Sequence, residues 1–148
     1  MPRTSFSHQD RSVTGLERTC SMLADFRYDL THFLRIRNTA ARKINLEPKQ
    51  YELLLAIKSR GEENAASLKQ LAAQLHIQHH TMVGLVNRSE KSNLVRRKRS
   101  LQDRRAVCLE ITPEGERALR QLANFSFTEL RRDGPNMQKS LRKLCTPA

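Results

Sequence analysis

The sequence contains no tryptophan, and it has only three cysteines among its 148 residues. Cys20, Cys108 and Cys145 are odd in number and far apart, which argues against a disulfide framework and suits a reducing cytosol. No apolar run approaches the roughly 18 residues that a membrane span requires, and residues 1–11 lack the apolar core of a signal peptide. We therefore expect a cytoplasmic globular chain without a membrane segment.

Positive charge is in excess, and it is concentrated. The formal net charge is +12, and residues 67–105 hold 9 Lys and Arg against 2 acidic residues. A basic block this local indicates a polyanionic partner, with a merely solvated basic face as the alternative. The same block has no Phe, Tyr or Trp on which single-stranded RNA could stack, which disfavours RNA as the partner.

The motifs of common enzymes are also missing. The chain has no phosphate-cradling glycine loop, no Gly-x-Ser-x-Gly and no paired zinc motif. His76, His79 and His80 lack the Cys or carboxylate that would complete a metal site, so contact with bases or phosphates is the better interpretation. We expect no catalytic residues, no cofactor and no metal.

A long amphipathic helix is predicted over residues 15–43, starting at a capping box of Thr14 and Glu17, after a disordered tail at residues 1–12. Its apolar stripe consists of Val13, Leu16, Cys20, Leu23, Leu30 and Leu34. A chain of this size has little interior for so long a helix. We therefore expect its ends to pack on a second copy.

Shorter helices follow. Pro48 starts one that Gly61 ends, and Ser67 with Gln70 forms a capping box for another that stops at residues 76–78. A helix over residues 79–91, with Met82, Leu85 and Val86 facing the core, completes a helix-turn-helix. Asn45 and Asn93 are suitable helix stops.

Two strand-like runs, 94–99 and 106–111, predict a hairpin with a basic tip. In the second run Val107, Leu109 and Ile111 alternate with Cys108 and Glu110, which predicts that the first three face the core. Thr112 and Pro113 start a further helix, which the breakers at residues 133–135 separate from a last one. The predicted class is mainly α with a small β wing, a winged helix-turn-helix.

Two elements are predicted to bind DNA. Residues on the exposed face of the 79–91 helix suit the major groove: Gln78, His79, His80, Thr81, Val83, Gly84, Asn87 and Arg88. Residues of the hairpin suit the minor groove and phosphates: Arg97, Lys98, Arg99, Asp103, Arg104 and Arg105. Asp103 is expected to orient Arg105, and Ser67 and Lys69 to contact the DNA backbone. Gly84 is expected to allow close approach of the duplex, with a neutral role as the alternative.

The run 71–115 resembles the MarR (multiple antibiotic resistance regulator) family of bacterial winged-helix transcription factors. The family's wing signature, Asp-x-Arg followed by a strand and Leu-Thr-x-x-Gly, stands here as Asp103, Arg105, Ile111, Thr112 and Gly115. The resemblance implies a homodimer that binds a pseudo-palindrome in double-stranded DNA and represses transcription. It also implies that a small aromatic effector or an oxidant relieves the repression.

The family pattern suggests a division of the chain into a helical dimerisation region, residues 13–46 and 113–148, and a DNA-binding winged helix, residues 47–112. Three positions depart from it: Gln78 stands where serine is common, Ser89 where a buried leucine is usual, and Asn93 where glycine is usual. A member with weak DNA affinity that acts through a protein partner is one alternative. A redox-sensing regulator that uses Cys20 is the other, although a buried cysteine that acts as a small hydrophobe is commoner.

Overall fold

The structure, a computed structural model, describes residues 9–61, 64–100, 103 and 105–146. Within these residues the elements are α1 (Gln9–Lys43), α2 (Pro48–Arg60), α3 (Leu68–Gln74), α4 (His79–Lys91), β1 (Val95–Arg99), β2 (Val107–Ile111) and α5 (Pro113–Cys145). The predicted class, mainly helical with a small β wing, is confirmed. The chain divides into two compact units, one of residues up to 36 together with those from 127 onward, the other of residues 37–126.

Local signals start and end the helices of the 37–126 unit. Ser67 Oγ accepts the backbone N–H of Gln70 at 3.3 Å, and Gln70 Oε1 accepts that of Ser67 at 2.9 Å, so the predicted capping box of α3 is present. Three helices end at a residue with positive φ: Asn45 at 57°, His76 at 52° and Asn93 at 55°. After each of these, the next backbone N–H bonds back to a carbonyl in the last helical turn, which closes the helix end.

The 37–126 unit has two apolar clusters. The first joins α2, α3, α4 and β2 through Leu53, Ala56, Ala66, Leu71, Ala72, Met82, Leu85, Val86 and Leu109. The second joins the end of α1, α2, the start of β1 and α5 through Ala41, Leu46, Tyr51, Leu54, Leu94, Val95, Leu119 and Leu122. Each fully buried leucine stabilises the fold by about 1.5–3 kcal/mol. Because α2 contributes to both clusters, it supports α4 and the hairpin together.

The hairpin pairs β1 and β2 antiparallel, with Val95 opposite Ile111 and Arg99 opposite Val107. The predicted alternation along β2 is wrong at its start: Val107 is 41% exposed, whereas Cys108 is 2% exposed. Ser67 forms an antiparallel bridge with Cys108 on the edge of β2 away from β1. The strand is therefore flanked on both edges there, and the simple pattern of a half-buried edge strand fails.

The other unit consists of segments of α1 and α5. The Ser140 hydroxyl donates to Asp29 Oδ2 at 2.5 Å, and Lys143 lies 3.7 Å from Asp25. α1 begins at Gln9, earlier than the predicted start at residue 15, so residues 9–12 are helical and not part of a tail. Residues 1–8 lie outside the described residues. No described helix has the length and apolarity needed to cross a membrane.

The predicted break at residues 133–135 is also wrong, because α5 is one helix that contains Pro135. A proline inside a helix removes one backbone hydrogen bond and costs about 3 kcal/mol. Beyond Pro135, Ser140 and Lys143 contact α1, as described above. These tertiary contacts hold the helix together where its local sequence favours a stop.

Candidate nucleic-acid interface

The two faces of α4 differ as predicted. Met82, Leu85, Val86 and Ser89 are buried, the first three in the apolar cluster beneath the helix. The predicted reading residues lie on the other side: Gln78, His79, His80, Thr81, Asn87 and Arg88 are exposed, and Val83 and Gly84 are half-buried. The structure thus brings all eight predicted reading residues to one accessible helix face.

Ser89 is buried with its hydroxyl hydrogen-bonded. It is 1% exposed, and its hydroxyl donates to the carbonyl oxygen of Leu85 at 2.8 Å. A buried hydroxyl is costly only when it lacks a partner, so the departure from leucine leaves no unsatisfied polar group. Gln78 is the residue before α4, and its side chain makes no capping hydrogen bond. The first backbone N–H groups of α4 therefore lack a side-chain acceptor, and such groups favour an anion.

Gly84 has no packing reason to be glycine. A Cβ atom added to it would meet only the Arg88 side chain, at the ordinary contact distance of 3.5 Å. Glycine in a helix interior costs roughly 1 kcal/mol relative to alanine. The packing of the described residues therefore does not require glycine at this position.

Two acidic residues that no sequence motif identifies, Glu47 and Glu90, form ion pairs with Arg88 on α4 and Arg97 on β1. Arg88 Nε lies 3.3 Å from both carboxylate oxygens of Glu47, at the start of α2. Glu90 pairs with Arg97, accepting both its guanidinium and its backbone N–H. Glu47 and Glu90 are 41 and 7 residues from their partners in sequence. Neither separation matches a spacing that places side chains together within one helix or strand. The packed fold brings each pair together, so the sequence pattern does not predict these contacts.

The base of the hairpin is internally paired as well. Arg96 donates to Glu110 at 2.6 Å, across the strands, and Lys98 lies 3.9 Å from the same carboxylate. The hydrogen bond from Arg96 lowers the pKa of Glu110 below its usual range, and Glu110 raises the pKa of Arg96 in return. Arg96 is thus engaged within the wing, and Lys98 is held only loosely.

The tip of the hairpin carries the uncommitted charge. Arg99 and Arg105 are exposed, and neither forms an ion pair with any described residue. Asp103 accepts the backbone N–H of Arg105 at 2.9 Å, so it shapes the turn and does not hold the guanidinium as predicted. A two-residue reach from an Asp side chain to the backbone is a common turn device, which competes with the expected ion pair. Arg104 lies outside the described residues.

The remaining predicted residues have mixed surroundings. Ser67 is half-buried with its oxygen engaged in the cap of α3, whereas Lys69 is exposed without an ion pair among the described residues. Cys20 is exposed in the single chain, so the expected burial of this side chain is wrong there. Within the described residues, no group of three His, Cys, Asp or Glu side chains is placed to hold a metal ion.

Comparison with known proteins agrees with this geometry. Residues 44–106 match the sequence model of the MarR family. The organic hydroperoxide resistance transcriptional regulator of Bacillus subtilis (strain 168) is 32% identical over 73 residues. That alignment covers 49% of this chain and 48% of the regulator, so the match spans about half of that protein's length.

Solved structures extend the similarity to the fold of most of the chain. AbsC, a MarR family transcriptional regulator from Streptomyces coelicolor, has a TM-score of 0.65 at 20% identity, over 97% of this chain and 90% of AbsC. Wild-type MarR from E. coli without ligand has a TM-score of 0.64 at 16% identity, over 81% and 93%. The S. aureus MepR–DNA complex has a TM-score of 0.63 at 16% identity, over 80% and 90%. Residues 44–106 therefore match the MarR family over a winged helix-turn-helix segment, in a chain with the fold of MarR family regulators.

Proposed function

We propose that this chain is a transcriptional regulator, and not an enzyme, that binds double-stranded DNA in a sequence-specific manner. The proposal rests on the 37–126 unit, which exposes one face of α4 and the cations Lys69, Arg99 and Arg105, none of which forms an ion pair with a described residue. Polar side chains on a helix suit base edges in the major groove, and arginines on a hairpin suit the minor groove and its phosphates. The similarity to MepR, which has been solved in complex with DNA, supports the same partner.

The proposal includes a homodimer. Leu16 is 65% exposed, Leu23 52% and Phe127 59%, all within the unit formed by the ends of the chain. Leu16 and Leu23 lie on the same apolar stripe of α1, and an extended exposed apolar stripe marks an interaction site. A second copy would cover it and present two α4 helices to a pseudo-palindromic site.

The dimer has a direct test. Leu30 and Leu55 are equally exposed, each at 38%, but only Leu30 belongs to the apolar stripe of α1. We expect Leu30→Glu to convert the dimer to a monomer in sedimentation equilibrium, and Leu55→Glu to leave it dimeric. A wild-type protein that sediments as a monomer, or equal behaviour of the two variants, contradicts this part of the proposal.

The proposal also includes regulation. DNA binding by the chain represses a promoter in the cytoplasm, and a small aromatic ligand or an oxidant relieves the repression. The oxidant has a named candidate, since Cys20 is exposed in the single chain. Cys20 also lies on the stripe of α1 that a second copy would cover. Peroxide should weaken DNA binding by the wild-type dimer and not by Cys20→Ser if Cys20 senses oxidants; equal effects assign Cys20 to packing.

The test of the central proposal is selection of bound sequences from a random pool of DNA duplexes with the purified chain. Enrichment of a two-fold-symmetric site supports sequence-specific binding by a homodimer. An enriched site without symmetry contradicts the dimeric arrangement. Absence of any enriched duplex contradicts the function and favours a family member that acts through a protein partner.

A further inference from the structure

We infer that Asn87 acts on DNA only as a hydrogen-bond donor, because Arg97, which Glu90 holds in place, donates to its oxygen within the protein. The inference rests on the proposed function, since it assigns a type of contact to one residue of the α4 face. It also changes the role of Arg97. The sequence predicts Arg97 as a DNA contact of the wing, whereas its neighbours in the structure make it a positioning residue.

The first step is the orientation of the Asn87 amide. Arg97 Nη2 donates to Asn87 Oδ1 at 2.8 Å. The oxygen and nitrogen of an asparagine amide are assigned from the hydrogen bonds around them. A guanidinium has donors and no acceptor, so the Asn87 amide oxygen must face Arg97. In the reverse orientation, N–H groups of Asn87 would face N–H groups of Arg97.

The second step is that Arg97 is itself held. Glu90 Oε1 accepts the backbone N–H of Arg97 at 3.1 Å, and the other carboxylate oxygen accepts its Nη1. The two side chains are only 33% and 30% exposed. Hydrogen bonds between ionised groups are roughly twice as strong as neutral ones, and two contacts to one carboxylate restrict geometry as well. Arg97 is therefore engaged by Asn87 and Glu90, and a phosphate would have to compete with both for its guanidinium.

The third step concerns what Asn87 still presents. Asparagine recognises adenine by accepting from N6 through its oxygen while donating to N7 through its nitrogen. The Asn87 oxygen has two lone pairs and Arg97 uses one of them, so in that paired contact adenine N6 would have to share the oxygen with a guanidinium. The two N–H donors of Asn87 bond to no described residue, and they suit a hydrogen-bond acceptor. On DNA, the acceptor is supplied by the N7 and O6 edge of guanine or by a phosphate oxygen.

The experiment compares duplex selection by the wild-type chain with selection by four variants. If Asn87 contacts a base, the preference for one base at that operator position should relax in Asn87→Ala, which identifies the position. Asn87→Asp keeps the contact with Arg97 and removes the donors. Arg97→Met removes the donor that engages Asn87, and Arg97→Lys retains one. Thermal unfolding of each variant confirms that it is folded before selection.

We expect the wild type to prefer guanine at the position that Asn87→Ala relaxes, and Asn87→Asp to lose about tenfold in affinity. Arg97→Met should gain preference for adenine at that same position, and Arg97→Lys should retain guanine. If the acceptor is a phosphate, Asn87→Ala and Asn87→Asp should weaken binding to all sequences alike. Asn87→Asp should lose more affinity, because its carboxylate repels the phosphate. Either pattern supports the donor-only role.

Other results overturn it. Preference of the wild type for adenine at the Asn87 position, unchanged in Arg97→Met, shows that the oxygen is free to accept. Affinity of Asn87→Asp equal to that of the wild type shows that the donors are not used. Both results require a wild-type chain that binds a defined site, so they contradict this inference alone. Absence of any enriched duplex contradicts the proposed function, and the inference with it.

Discussion

Gly115 and Leu94 approach so closely that a Cβ atom built on Gly115 would lie 2.1 Å from the carbonyl oxygen of Leu94. Glycine is required here by contact, and not by an unusual backbone angle. The same carbonyl oxygen accepts the backbone N–H of Thr112 at 3.0 Å, and the Thr112 hydroxyl donates to Asn93 at 2.5 Å. The first turn of α5 is thereby attached to the end of α4 and the start of β1.

Gly115→Ala should consequently destabilise the protein, by about 1–3 kcal/mol or more, because either α5 or the backbone at Leu94 must shift. The measurement is the free energy of unfolding in urea. Gly134→Ala is the matched control, since nothing lies within 4 Å of the Cβ position there and alanine favours a helix interior. Equal unfolding midpoints for the two variants would refute the close contact.

The sequence predicts several structures that depend on a few neighbouring residues, although the capping box of Thr14 and Glu17 does not mark the start of α1. Ser67 with Gln70 and the helix ends at Asn45 and Asn93 are local arrangements, and the structure contains each of them. Pro135 fails as a helix breaker because contacts made by the far part of α5 outweigh its cost. Cys108 fails as an outward residue because Ser67, 41 residues earlier, borders its strand.

The candidate site divides in the same way. The periodicity of α4 was sufficient to assign its buried and exposed faces, because a helix repeats every 3.6 residues. Periodicity does not show which exposed cations already have an acidic partner. Glu47 pairs with Arg88 and Glu90 pairs with Arg97, and these ion pairs form only once α2, α4 and β1 have packed.

Gly84→Ala should separate stability from DNA binding. The fold accepts the added methyl group at an ordinary contact distance and gains helix propensity, so unfolding should require about 0.5–1 kcal/mol more. A duplex that approaches α4 closely would meet the same methyl group, so affinity for the selected site should fall. Urea unfolding and fluorescence anisotropy measure the two effects. A variant with raised stability and undiminished affinity removes close approach as the reason for this glycine.

Arg105→Ala should weaken binding of the selected site by at least about 1 kcal/mol, roughly fivefold, because Arg105 is exposed without an ion pair in the described wing. Lys139→Ala is the control for loss of one positive charge, since Lys139 is exposed and lies outside the unit that holds the hairpin. Anisotropy titrations of both variants give the comparison. Similar losses in the two would mean that only net charge matters.

Affinity should also decrease steeply as salt rises. If the dimer neutralises about 6–10 phosphates, the logarithm of the association constant falls against the logarithm of salt concentration with a slope of about −5 to −9. Titrations at several potassium chloride concentrations measure the slope. A nearly salt-independent complex is incompatible with a basic surface that contacts the DNA backbone.

Glu47→Gln should strengthen DNA binding, which is the reverse of the usual effect of a mutation near a binding surface. Both oxygens of Glu47 lie 3.3 Å from Arg88 Nε, so a phosphate or base competes with this carboxylate for the Arg88 guanidinium. An exposed ion pair is worth about 0–1 kcal/mol, which limits the gain in affinity to about fivefold.

Glu52→Gln is the matched control, because Glu52 lies on α2 as well but pairs with Arg37 and Lys49. A gain for Glu47→Gln above that of Glu52→Gln, and absent when Arg88 is also replaced by Ala, assigns the effect to the released guanidinium. Equal affinities of the wild type and Glu47→Gln would show that Arg88 remains on α2 in the complex.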